Sequence, residues 1–213
     1  MEFIDLSPYE YRAFPIPMRS VGWLGRKYGL QGSRGPHVKS ADLKRLKAAS
    51  RRLGAITLGT HECEFCSDGP AFEGNGEYRY YMPNGDAYSA PMMILHYVEE
   101  HGYRPPDVFL DCLEDVGGLV WDWRAARLRR VLLDASEDLD FRCEAIIDLA
   151  NWKDPRSLEA LISAIEDEDL IDVAGDEIGR SLGSFLGCEF AGDLRVEDFS
   201  GEIRRGIDEA RWH

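Results

Sequence analysis

Cys63 and Cys66 stand three positions apart, and His96 and His101, five apart, follow some thirty residues later. No other feature of the 213-residue chain restricts its fold as tightly. A Cys-x-x-Cys knuckle turns two thiolates toward one point, and H-x4-H lies within the ligand spacing of structural zinc sites. If the four meet, the chain between them must return on itself. A metal would then staple a short, turn-rich region, because metal-binding free energy is folding free energy. Positions five apart lie about 140° apart around an ideal helix. Both imidazoles are therefore expected to reach one ion only if the final turn distorts, which Gly102 permits. Three alternatives stand beside this reading: His61 replacing one histidine, two buried thiols with backbone-bonded histidines, and a redox pair. The last is weakened by the lack of a βαβ pattern around the cysteines.

The segment between knuckle and histidines carries strand signals. Glu77-Tyr78-Arg79-Tyr80-Tyr81 alternates polar and aromatic residues, Pro83-Asn84-Gly85 turns, and Asp86–Ala90 continues, which predicts a β-hairpin. Ser89 is expected to cap, and Pro91 to begin, a helix through Met92, Leu95, His96 and Val98 that Gly102 ends. Pro105-Pro106 then seeds a helix from Asp107 to about Val116. Before the knuckle, Pro8, Pro15, Pro17, Pro36 and the glycines between Gly22 and Gly35 predict turns and short extended pieces. Ser40 reads as the N-cap of a helix running to about Leu53, with Gly54 as its stop. Lys44, Arg45, Lys47, Arg51 and Arg52 line its polar side, opposite Leu43, Leu46 and Leu53.

From Trp121 onward the pattern is helical. Asp154-Pro155 supplies a cap and a first-turn proline before Leu158, Leu161, Ile162 and Ile165. Ala145, Ile146 and Leu149 form an earlier stripe; Ile171, Ala174, Ile178, Leu182 and Phe185 form a later one. A last helix starts near Ser200. Connections of a few residues make neighbouring helices antiparallel. The fold class expected is α+β, with two domains: residues 1–117, a zinc-stapled hairpin and helix, and residues 118–213, an all-α antiparallel stack.

Charge divides the chain the same way. Residues 1–52 hold 11 Lys/Arg and 4 Asp/Glu, residues 53–133 hold 6 and 13, and residues 134–213 hold 8 and 22. The net values are +7, −7 and −14. So acidic a C-terminal third repels nucleic acid and anionic membrane and speeds encounter with a basic partner. No apolar run reaches the ~18–20 residues of a membrane span, and the acidic start does not resemble a signal peptide. A cytoplasmic location is expected. Cys112, Cys143 and Cys188 sit among apolar helical positions and read as packing residues.

Two resemblances follow from longer strings. Asp5-Leu6-Ser7-Pro8-Tyr9-Glu10-Tyr11, Val21-Gly22-Trp23-Leu24, His61-x-Cys63-x-x-Cys66 and Tyr88-x-Ala90-Pro91-x-x-Ile94-x-His96-Tyr97-Val98-x-x-His101-x-Tyr103-x-Pro105-Pro106-x-x-Phe109 together resemble a family of uncharacterised bacterial proteins over residues 1–115. That resemblance implies that the cysteines and histidines share one site; it implies no activity. Asp140-x-Arg142-x-x-Ala145-x-x-x-Leu149, Asp154-Pro155-Arg156-x-Leu158-x-x-Leu161-Ile162-x-Ala164-Ile165 and Asp167-Glu168-Asp169 resemble HEAT-type, phycobilisome-lyase-like helical repeats over residues 126–187. It implies a surface presented to other proteins.

These features give a working expectation: a non-enzymatic protein-binding module with structural Zn²⁺ on Cys63, Cys66, His96 and His101, a basic protein partner, and no catalytic residues. A specific form is an immunity protein that neutralises a bacterial toxin. One alternative is a zinc-dependent enzyme on a small or nucleotide substrate, with Glu62 or Glu64 beside the metal. Against it, His-Glu-x-x-His, the deaminase pattern and the phosphate-cradling and nucleophile motifs are missing. The other alternative is nucleic-acid binding through the basic helix after Ser40, with the Trp/Tyr-rich surface beside it.

Overall fold

The structure is a computed structural model that describes residues 1–30, 37–67, 71–113, 118–192, 194–199 and 201–211. The chain is mixed α+β and divides into two compact units. Met1–Ala13 and Pro17–Gly117 form the first, and Phe14–Ile16 and Gly118–His213 the second. No helix among the described residues is long and apolar enough to cross a membrane.

The first unit contains β1 (Arg19–Ser20), α1 (Ser40–Ala49), β2 (Ala55–Glu62), β3 (Glu73–Tyr81), β4 (Ala87–Pro91), α2 (Ile94–His101) and α3 (Asp107–Cys112). Its sheet has the order β1-β4-β3-β2. The hairpin expected around Asn84-Gly85 joins β3 to β4, with Tyr80 opposite Tyr88 and Gly85 at φ +96°. β4 is buried along its whole length, flanked by β3 and the short parallel β1. Phe109 of α3 is fully buried between the edges of Tyr80 and Tyr88, with ring centroids 5.1 and 5.2 Å away.

Two expectations fail here, each for a physical reason. Ser89 does not cap a helix: β4 runs through Pro91, and α2 starts only at Ile94 after Met93. The Ser89 hydroxyl instead donates to Glu77 across the sheet, 3.2 Å away. Ser40 is the first residue of α1, not its cap, and α1 ends at Ala49 because Ser50 turns back onto Leu46, well short of Leu53. Within β3, Glu77 and Arg79 do not meet water. Glu77 and Arg79 form a fully desolvated ion pair of 2.7 Å, and Glu77 also accepts the hydroxyl of Tyr9. A buried carboxylate with donors on both oxygens is stable where a lone one would be costly. It ties the N-terminal strap to the sheet. Asp5 adds a second tie, accepting from the Gly22 N–H at 2.8 Å and from the Tyr103 hydroxyl at 3.0 Å. The end of the helix expected to reach Val116 lies outside the described residues.

The second unit contains α4 (Trp123–Leu133), α5 (Leu139–Leu149), α6 (Pro155–Ser163), α7 (Glu168–Gly183) and α8 (Gly201–Ala210). Asp122, Asp138, Asp154 and Asp167 cap α4, α5, α6 and α7 by accepting backbone N–H groups of the first turn. The stripe expected on α6 is only half right. Leu158 and Leu161 are buried, but Ile162 is 43% exposed, and Ala160 takes its place inside. The helix then tightens to 3-10 geometry at Ala164–Glu166, where Ala164 is buried. Arg142 donates to the Leu132 carbonyl and pairs with Asp167, so one guanidinium joins α4, α5 and the start of α7.

The last pair departs from an antiparallel stack. Gly175 faces Glu202, Gly179 faces Ile203 and Gly206, and Gly183 faces Ile207 and Ala210, so both helices advance together and α8 lies parallel to α7. A Cβ on Gly179 would stand 2.1 Å from the Ile203 carbonyl oxygen, and one on Gly206 would stand 2.0 Å from that of Asp176. The backbones touch because the spacing Gly-x-x-x-Gly-x-x-x-Gly keeps a side-chain-free groove on one helix face. The chain between Gly183 and Gly201 is long enough to return to the starting end of α7.

Candidate metal centre

The knuckle is closed by the chain on either side of it. The Cys63 N–H donates to the Phe72 carbonyl at 2.8 Å, where β3 begins, so the loop must turn over between these points. Cys63 is buried and Cys66 half-buried. α2 supplies the other two groups, His96 in its first turn and His101 as its last residue. Gly102 adopts the left-handed conformation at φ +65° and donates to the Tyr97 carbonyl, ending the helix without strain. The helix holds through His101, so the distortion expected of its last turn does not occur. The two rings converge instead through their outer Nε2 atoms, 3.1 Å apart.

Cys63 Sγ lies 3.3 Å from His101 Nε2, and Cys66 Sγ lies 3.3 Å from His96 Nε2 and 3.6 Å from His101 Nε2. All four ligand atoms fall within 4.8 Å of one another. Ordinary Zn–N and Zn–S bond lengths at tetrahedral angles require N···N, N···S and S···S edges of about 3.4, 3.6 and 3.8 Å. The donors are thus spaced as corners around one small cation, and the cluster could hold a metal ion. Burial pushes the Cys63 thiol up, and burial together with the neighbouring His101 holds His96 below the usual histidine range. Uncharged thiol and imidazole are the forms such a pocket favours alone, and a cation must displace the thiol protons to bind.

Aromatic rings fix the imidazoles. Phe72 stacks on His96 at 4.5 Å and 9° between planes, and Phe65 leans on His101 at 5.9 Å. Neither ring was singled out by sequence reasoning; both sit beside ligand-bearing turns, the one signal available. His61 does not join the cluster: it pairs with Gly74 in β2 and is exposed. Glu64 accepts from the Arg26 N–H at 2.8 Å, away from the four donors. The basic helix α1 docks on its own chain, burying Leu46 and pairing Lys47 with Glu99 of α2.

Comparison with known proteins places this arrangement. Residues 1–114 match the model of a family described as a domain of unknown function, DUF7919. No curated protein and no solved structure matches the chain. The match spans the strap, the sheet, the knuckle and both histidines, more than half of the whole length, and the chain therefore belongs to the DUF7919 family.

Proposed function

We propose that this chain is a non-enzymatic protein-binding module whose first unit is stapled by a structural Zn²⁺ on Cys63, Cys66, His96 and His101. The observation that carries the zinc reading is the convergence of two sulfurs and two nitrogens within 4.8 Å, with four separations of 3.1 to 3.6 Å close to tetrahedral edges. Soft thiolates with imidazoles select zinc among common divalent ions. Four protein donors leave no place for a reacting water, and Glu64 of the knuckle accepts from the Arg26 N–H. That supports a closed site over the hydrolytic alternative.

The binding reading rests on the second unit. Residues 134–213 carry 22 acids against 8 bases, in a unit whose helices start on aspartate caps and meet at glycines. Such a surface steers a basic protein partner, and a HEAT-like stack with a parallel final helix would present it. An immunity protein that masks a basic toxin in the cytoplasm is the specific form proposed.

Elemental analysis with X-ray absorption at the zinc edge tests the first part. One zinc per chain with two sulfur and two nitrogen neighbours is expected. A water oxygen as fourth neighbour would turn the reading toward an enzyme. For the second part, a toxin-like neighbouring gene and a salt-sensitive complex with its product are expected; absence of both removes the immunity form.

A further inference from the structure

The first unit holds a second feature that the metal does not explain. Ile56 pairs with Gly76 and His61 with Gly74, so the four positions 57–60 of β2 face Asn75 alone. So wide a bulge lifts the edge strand from its neighbour, and bulges recur where strands are re-aimed at a site. Beneath it lies a cavity of about 210 Å³. Gly59 forms the crest at φ +86°, with open space where a side chain would be. Gly76 forms part of the floor, where a Cβ would stand 2.8 Å from the Ala55 carbonyl oxygen.

Two kinds of wall face each other. Trp23, Tyr11, Met92 and Met93 supply flat and polarizable surface. Trp23 is held in advance, its indole N–H donating to the Ser89 carbonyl at 3.0 Å and its ring meeting Tyr9 and Phe3. Thr57, Thr60 and Asn75 supply the polar side, with the Thr57 hydroxyl donating to the Asn75 carbonyl at 2.8 Å. Among the described residues no Asp, Glu, Lys or Arg side chain lines this cavity, although these make up 30% of the chain; Met1 and His61 stand at it as well. A charged ligand would lose hydration there without meeting a carboxylate, lysine or arginine side chain. Tyr11, Trp23, Leu24, His61 and Pro91 also stand in the strings that carry the family resemblance, outside the four metal ligands.

We propose that this cavity binds an uncharged, planar heteroaromatic molecule of one or two rings. Its faces lie against Tyr11, Trp23 and the methionines, and its hydrogen-bonding edge meets the bulge at Thr57, Thr60 and Asn75. Aromatic walls favour flat rings, and the one polar side sets their orientation. The wall is preformed, so little ordering opposes binding.

Saturation-transfer NMR on the full chain, with adenosine, indole and cyclohexanol as probes, tests this. Adenosine and indole are expected to bind with Kd below about 1 mM, and cyclohexanol about tenfold or more weakly. Met92→Trp, which fills the space, and Tyr11→Ala, at a partly exposed site that leaves the fold intact, should each weaken both rings about tenfold. Thr57→Val should weaken adenosine more than indole. The proposal fails if neither ring binds, if cyclohexanol binds as well as they do, or if Tyr11→Ala with an unchanged melting temperature leaves both affinities unaltered.

Discussion

The two units hold themselves together by opposite means. The second is built from helices with a carboxylate at the start of four of them and bare glycine backbone where α7 meets α8. The first has a two-residue strand, short helices and a long strap, and its order comes from single knots: Glu77 with Arg79 and Tyr9, Asp5 with Tyr103, and the four metal donors. A knot fails all at once, whereas a periodic surface fails by degrees. The difference predicts which perturbations will be confined to one unit.

Metal removal should have the largest effect. Structural zinc contributes on the order of 10 kcal/mol to folding in small domains. Chelation, or Cys63→Ser, is expected to open the hydrogen-exchange protection of β2, β3 and α2 while α4–α8 remain protected. If chelator leaves melting and exchange unchanged and no metal is found, the donors are a core of thiols and imidazoles, and the comparison between the units loses its main term. Phe109→Ala comes next. Deleting a buried ring between Tyr80 and Tyr88 should cost about 3–5 kcal/mol, read by denaturant unfolding, and should raise sensitivity to chelator because the same unit carries both.

In the second unit the corresponding break is Gly179→Val. The new Cβ would fall on the Ile203 carbonyl, so α8 must shift, at a cost of roughly 1–3 kcal/mol or more. The expected outcome is loss of protection in α7 and α8 with metal content and β-sheet protection unchanged. A drop in metal content would mean that the units unfold as one.

Much of this contrast was readable in the residues, and the failures have common causes. Caps such as Asp154, the Asn84-Gly85 turn and the Cys/His spacing are local, so their chemistry announces itself in a few positions. Ser89 misled for the opposite reason: a cap is a local reading that a distant partner, here Glu77, overrides. The parallel α8 was legible in principle. Gly175, Gly179 and Gly183 repeat every four residues beside Gly206 and Ala210, a pattern for close backbone contact that the search for apolar stripes passes over. The cavity had no sequence signature at all, because a bulge is set by pairing between strands.

The smallest expected effect is also the one that separates charge from shape. Asp154 caps α6 and is held below the usual carboxylate range, chiefly by the hydrogen bond from Arg156. A folded-state value below the unfolded one means that stability is fully present above the unfolded value, near pH 4, and is lost as pH falls through the depressed one. Asp167, lowered by Arg142 at the start of α7, adds in the same direction. Asp154→Ala should therefore cost about 1 kcal/mol at neutral pH, the ordinary worth of a cap. Exchange protection of the early α6 amides in wild type and variant should then converge as the pH is taken below the depressed value. Asp154 is half-buried and its partner Arg156 is exposed, so the effect is modest and should shrink further in salt. A gap that persisted undiminished at acid pH would show that the cap works through the position of its oxygen and not through its charge. The second unit would then depend, like the first, on a contact of fixed geometry, and the distinction between knots and periodic surfaces would narrow to the metal alone.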